Sequence, residues 1–269
     1  MIDFIRAKYS LVDGCTNVFK NNIKEVQGQY RLWRYVFDYI VEEPKLDPVP
    51  VKIKSKEGLS LFRYMRASNF LADLQSQQLT FISPGLWEDP FEQLFFRDSG
   101  IKIGDTTYYI RCICFTYDWI ESEEAAWLRS GENSEVVRVE YDFEKLCSEL
   151  NKIKDAKFFF SVVDYSLPRK EIVKQSNAFK GGKWKPNSID EYLNVMSLKR
   201  KAFTYENEIR LFMVKEQSID GDITCLRYCD SPIVSVCLPP KRLSPIELVE
   251  QAEERYGIKV QHSHLYDLG

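Results

Sequence analysis

Histidine is almost missing from this chain: only His262 and His264 occur among 269 residues. Neither sits in a Ser-His-Asp or Cys-His arrangement with a recognisable nucleophile motif, so triad-type acyl transfer is excluded. Gly-x-x-x-x-Gly-Lys-Ser/Thr and Gly-x-Gly-x-x-Gly are both missing, which removes the common phosphate-cradling loops. No stretch approaches the roughly 20 apolar residues that span a bilayer. The start, Met1-Ile2-Asp3-Phe4-Ile5-Arg6, lacks the basic-then-apolar order of a secretion signal. Cysteine is neither abundant nor paired: the seven residues Cys15, Cys112, Cys114, Cys147, Cys225, Cys229 and Cys237 are scattered. An odd number of thiols in a chain this long fits a reducing compartment, so a cytoplasmic, non-membrane protein is expected. The net charge of -3 is too small to imply a polyionic partner by itself.

What is present is a core. The sequence is 44% hydrophobic and 14% aromatic, enough for one large domain or a domain with an appendage. In residues 1–50, Phe19, Ile23, Val26, Tyr30, Trp33, Phe37 and Ile40 recur at steps of four and three, which predicts a helical N-terminal extension. It either docks on the main domain or offers an apolar seam to a partner protein. Pro44, Pro48 and Pro50 end it, and residues 51–269 form the second unit.

There, alternating and β-branched runs predict strands at Leu61–Arg66, Gln78–Ser83, Thr106–Tyr117, Ser134–Tyr141, Lys157–Tyr165, Thr204–Val214, Ile233–Leu238 and Ile258–Gln261. Ser68 is placed to cap a helix through Gln75, and Asp142 begins another reaching Lys152. Ser188 with Glu191, and Ser244 with Glu247, have capping-box spacing. The fold class is α+β.

Between Arg169 and Lys201, nine basic residues face three acids, a local excess of +6. The segment Phe179-Lys180-Gly181-Gly182-Lys183-Trp184-Lys185 reads as a mobile loop: either a solvated excursion or a grip on nucleic-acid phosphates and bases.

A zinc site from Cys225, Cys229, His262 and His264 lacks finger spacing, so no metal ligand is assigned. Carboxylates remain. If Thr204-Tyr205-Glu206-Asn207-Glu208-Ile209-Arg210-Leu211-Phe212 is a strand, Glu206, Glu208 and Arg210 share one face, with Tyr205, Ile209, Leu211 and Met213 behind them. Such a row is either an ion-paired surface or a site where a glutamate stabilises an oxocarbenium ion without histidine or metal. A carboxylate-bound Mg²⁺ nuclease using Glu206, Glu208 and Asp89 is a further alternative.

Several motifs occur in a telling order: Leu61-Phe62-Arg63-Tyr64-Met65-Arg66, Asn69, Leu74, Leu79-Thr80-Phe81 and Trp87-Glu88-Asp89-Pro90-Phe91-Glu92 come first. Cys114-Phe115-Thr116, Ala126-Trp127, Lys201-x-Phe203-x-Tyr205-Glu206-x-Glu208-x-Arg210 and Ile233–Leu238 with Pro239-Pro240 follow. Together they resemble a bacterial and phage family carrying domain of unknown function 2971, itself distantly similar to ADP-ribosyltransferases. The resemblance implies a split β-sheet core with flanking helices and NAD as substrate. It implies Glu208 as the catalytic glutamate and Glu206 orienting the acceptor. Arg63, Tyr64, Arg66, Thr116 and Trp127 would bind NAD. It further implies a toxin or phage-defence setting, a nucleic-acid or protein acceptor and an antitoxin-like partner. The chain departs from the pattern in having Cys114-Phe115-Thr116 for a Ser-Thr-Ser run, and Ser130 where a tyrosine follows the tryptophan. A non-catalytic binding module is the competing expectation.

Overall fold

The computed structural model describes residues 60–116, 127, 136–239 and 252–263, together with the backbone of Ile23–Glu25. Among them, eleven strands join in one curled, half-barrel sheet with a few helices packed on it, a mixed α+β architecture. The strands are β1 (Ile23–Glu25), β2 (Ser60–Arg66), β3 (Gln78–Ile82), β4 (Ile101–Ile103), β5 (Thr106–Thr116) and β6 (Val136–Asp142). After them come β7 (Lys157–Val162), β8 (Glu208–Lys215), β9 (Ile223–Arg227), β10 (Ile233–Leu238) and β11 (Lys259–His262). The helices are α1 (Ala67–Ser76), α2 (Phe143–Asn151), α3 (Arg169–Lys180) and α4 (Ile189–Val195).

The main path runs β1-β7-β8-β5-β2-β6-β10-β11, and only β10 and β11 pair in parallel along it. β5 is the pivot. One of its edges pairs with β8 from Tyr109 to Thr116. The other is shared among β4, β3 and β2, met in turn at Thr106–Tyr108, Cys112 and Thr116. One long strand serving three partners splits the sheet, and β3 carries β9 off the main path.

Period-two alternation gives the sheet two differently covered faces. On the first, Leu61, Met65, Ile113, Phe115, Val139, Tyr141, Phe158, Phe160, Ile209, Leu211 and Met213 pack under α1 and α2. On the second, Ile110, Cys112, Phe159, Phe212 and Val214 pack under Trp87, Phe95, Phe96, α3 and α4. β8 has a cover on both sides, so seven of its eight residues are buried.

Local chemistry fixes the helix ends. Asp142 caps α2 by accepting from the Lys145 amide at 2.9 Å, and Ser188 caps α4 by accepting from the Glu191 amide at 3.2 Å. Glu191 does not complete the box with Ser188; its carboxylate accepts from the Asn187 amide. Ser68 is not a cap: α1 starts at Ala67, and Arg66 before it makes no side-chain cap bond.

Three further expectations are corrected. Ile23, assigned above to a helical face, lies in β1, which pairs with Phe159–Ser161 of β7, so the first fifty residues contribute a strand to the main sheet. The rest of that segment, including Phe19, Val26, Tyr30, Trp33, Phe37 and Ile40, lies outside the described residues, as does the Ser244 box. The expected strand from Thr204 begins only at Glu208, because Lys201–Glu206 is a 3₁₀ turn ended by Asn207 at φ 42°. The third concerns the Phe179–Lys185 loop, which begins only after Lys180 and whose aromatics are not free. Arg169–Lys180 is helical, Phe179 is buried, and its ring packs on Trp184 at 5.6 Å and on Phe95 and Tyr192. Those aromatics face the second core and present no stacking platform. Among the described residues, no helix is long and apolar enough to cross a membrane.

Candidate functional site

The 199–208 segment folds back on itself. Lys199 leaves α4, the 3₁₀ turn reverses the chain, and Asn207 in the left-handed region delivers Glu208 to the first position of β8. Asparagine is one of the few non-glycine residues that takes this conformation readily. The reversal brings the Glu206 and Glu208 carboxylates to one ammonium: Lys199 Nζ donates to Glu206, and to Glu208 Oε2 at 2.8 Å. The same Nζ lies 3.1 Å from Glu92 Oε1, supplied by the 3₁₀ turn Glu92–Phe95. Arg210, two residues along β8, donates its Nε to Glu208 Oε1 at 2.8 Å, its Nη2 to Glu92, and its Nη1 to the Met196 carbonyl. Its guanidinium lies 4.1 Å over the Trp87 ring.

Three carboxylates, Glu92, Glu206 and Glu208, therefore enclose two cations, Lys199 and Arg210. The side chains of Glu208 and Lys199 are 6% and 4% exposed, and that of Arg210 is 0% exposed. Burial pushes the Glu208 carboxyl up. The Arg210 and Lys199 charges outweigh it, helped by hydrogen bonds from Arg210 and the Cys114 thiol, and hold the group well below the usual carboxylate range. Burial also opposes the charge of Arg210, but Glu208 and Glu92 keep it protonated. At neutral pH Glu208 is therefore ionised and Arg210 charged. Next to it, Arg200 Nε donates to Asp89 Oδ2 at 3.0 Å.

Thr116 sits directly across from Glu208 in the β5–β8 ladder, and Phe62 sits across from Thr116. Continuing through Glu140 of β6 and Ser235 of β10 gives one cross-strand row with every side chain on the second face. Glu140 accepts from the Ser60 and Ser235 hydroxyls at 2.7 and 2.6 Å. Tyr64 and Arg66 share this face of β2, and Tyr64 meets Trp127 edge-on with ring centroids 5.1 Å apart.

Arg63 does not join them. It lies between Leu61 and Met65 in alternation and so points to the first face, opposite Glu208. Its neighbours there are Tyr141, whose hydroxyl burial pushes up to about 12 against the opposing effect of Arg63, and Asp73. The expected convergence of Arg63 and Glu208 on one cleft is thus corrected: one backbone position decides the face, and β2 spends it on Phe62, Tyr64 and Arg66.

Glu206 and Glu208 do come together, but through a turn and an ammonium, not through strand alternation. Lys199 and Glu92 escaped the sequence reading. Glu92 ends the quoted Trp87–Glu92 motif, where only Asp89 was weighed, and Lys199 was counted as part of a basic surface. A Mg²⁺ site at Glu206, Glu208 and Asp89 is disfavoured by what holds those oxygens: an ammonium, a guanidinium and Arg200. Among the described residues, no cluster of His, Cys, Asp or Glu is arranged to hold a metal ion. No protein-family model matches the sequence, and no curated protein matches it either.

Proposed function

We propose that this protein is an ADP-ribosyltransferase-like enzyme that cleaves the glycosidic bond of NAD, with Glu208 as the catalytic carboxylate. One observation carries the reading: the late, middle and early strands β8, β5 and β2 are neighbours, with Glu208, Thr116 and the Phe62–Tyr64–Arg66 side of β2 on a single face. The family resemblance assigns the catalytic glutamate, the hydroxyl residue and the NAD-holding residues to those three strands. The split sheet is compatible with the fold the resemblance implies. Arg63 is left out of the NAD-binding set; Tyr64, Arg66, Thr116 and Trp127 remain in it.

The chemistry follows from the charges. As the bond between the ribose C1′ and the nicotinamide nitrogen breaks, the electron pair leaves with neutral nicotinamide and positive charge develops on the ribose. A carboxylate already ionised and oriented by Arg210 and Lys199 stabilises that charge without reorganising. The acceptor's nucleophilic atom then bonds to C1′, and its proton passes to Glu206. Incubation of the protein with radiolabelled NAD and a cellular extract tests this. Wild type should release nicotinamide and label a macromolecule, and Glu208→Gln should do neither while keeping its circular dichroism. If wild type yields neither nicotinamide nor label with any extract, the proposal fails.

A non-catalytic binding module is the second reading, favoured by the closure of Glu208 between two cations at 6% exposure. It predicts no heat of NAD binding by calorimetry, and it treats the charge cluster as a clamp between β8 and the 199–206 segment.

A further inference from the structure

The charge cluster leads outward into an alternating row of rings and cations. Lys199 Nζ and Arg200 Cζ both lie over the Phe203 ring, at 5.3 and 4.8 Å. Arg200 also lies over the Phe91 ring at 4.7 Å, and Arg169 at the start of α3 meets that same ring at 4.9 Å. The path Glu208–Lys199–Phe203–Arg200–Phe91–Arg169 is continuous from the buried carboxylate to solvent.

The outer half of this row is built differently from the inner half. Arg210 over Trp87 is fully buried, and its nitrogens are spent on Glu208, Glu92 and a carbonyl. Arg169 is exposed and makes no hydrogen bond or ion pair among the described residues. Asp89 takes only the Nε of Arg200, so its outer edge keeps two donors in the planar fork that suits a phosphate. Phe91 and Phe203 are half-buried, and the exposed cations Lys170, Lys174 and Lys201 flank them. The opposing acids are Glu88, exposed, and Glu171, which faces Lys174 at 3.5 Å. On a chain of net charge -3 this is a concentrated positive rim, and it borders the carboxylates.

We propose that the Arg169–Phe91–Arg200–Phe203 row is the docking surface for a single-stranded nucleic acid, which is the acceptor for transfer at Glu208. The Arg169 and Arg200 guanidinium groups pair with backbone phosphates, while the outer face of Arg169, the one face of the row that no ring of the row covers, stacks on a base. Stacking of this kind needs base faces that a duplex hides, so the ligand is unpaired. This deepens the proposed function by naming the acceptor class, and it moves nucleic-acid contact away from the Phe179–Lys185 turn, whose aromatics face inward.

The test is fluorescence anisotropy with labelled oligouridylate and oligothymidylate of about 16 nucleotides, the upper site size for one compact domain. The full chain is used, without NAD. Wild type should bind both at low salt, and affinity should fall linearly with the logarithm of salt concentration. Arg169→Ala should reduce that slope by about 1, and Arg200→Lys, which keeps a charge for Asp89 but loses the fork, should weaken binding with little change of slope. Phe91→Leu, which removes the ring that holds Arg169 and Arg200 in place, should weaken binding about tenfold with little change of slope. A double Lys183→Ala, Lys185→Ala variant should change affinity by less than about twofold, because those residues lie off the row. No binding at low salt, equal binding of a duplex, or losses confined to the Lys183/Lys185 variant would overturn the proposal. So would preference for anionic lipid vesicles over either oligonucleotide. The acceptor role rests on the proposed function, and the two failures are distinguishable: NAD cleavage without oligonucleotide binding sinks the docking surface alone, whereas binding without NAD cleavage sinks the catalytic proposal and the acceptor role and leaves only a docking surface.

Discussion

At the residue scale, the decisive feature is Lys199. It is the ammonium on which Glu92, Glu206 and Glu208 converge, and with Arg210 it keeps three carboxylates from repelling one another. Lys199→Met leaves Glu92 and Glu208 to share Arg210 and takes the ammonium from Glu206, and breaking a buried pair this way costs roughly 3–5 kcal/mol. Urea unfolding at pH 7 should show that loss. The deficit should shrink as the pH falls into the ordinary glutamate range, because Glu208, no longer held down by the Lys199 charge, can then take a proton that it refuses in wild type. In wild type, the depressed Glu208 contributes stability that is present above the ordinary glutamate range and is lost as pH falls through its lowered pKa.

Asp73 has the opposite sign. Burial raises its carboxyl, only partly offset by the Thr80 hydroxyl, Arg63 and Gln78. Its folded form holds a proton better than its unfolded form, so its contribution is present at low pH and lost as pH rises through the raised value. Asp73→Asn should therefore be more stable than wild type at pH 7, with the difference vanishing near pH 3. A larger difference at pH 3 than at pH 7 would contradict this. Neither Lys199 nor Asp73 stood out in the sequence, for a physical reason: their roles come from partners brought close by folding. Glu92 and Lys199 are more than a hundred positions apart, and no periodicity links them.

At the element scale, much was legible. Alternation located β2, β3, β5, β6, β7, β10 and β11 to within a few residues, because apolar residues recur along them at period two, although β11 only half-buries Val260. Two failures have separate causes. The strand expected from Thr204 begins only at Glu208 because alternation cannot register a left-handed residue, and Asn207 is one. The helix Arg169–Lys180 was hidden because its buried stripe is mixed, Ile172 and Phe179 with Gln175 and Ser176 between them. Asn207→Val should cost about 1–2 kcal/mol in thermal or chemical unfolding, since a β-branched residue resists the left-handed region. Asn207→Gly should be nearly neutral. Equal stability of all three chains would mean that the turn does not depend on this conformation.

At the scale of the whole molecule, the curled sheet has two covered faces, and the proposed site depends on which one each β2 residue joins. The motif order implied that Arg63 and Glu208 act together. The sheet puts Arg63 beside Asp73 and Tyr141 on the first face, and puts Glu208 in a row with Thr116, Phe62 and Glu140 on the second. A sequence shows alternation within a strand, but not which of its two rows will face a strand more than a hundred residues away. Parallel assays of nicotinamide release from NAD by wild type, Glu208→Gln and Arg63→Gln test the central claim most directly. The second-face site predicts a loss of about 10²–10³-fold for Glu208→Gln, and for Arg63→Gln a rate close to that of wild type. Equal losses in the two variants, or full activity in Glu208→Gln, would contradict it.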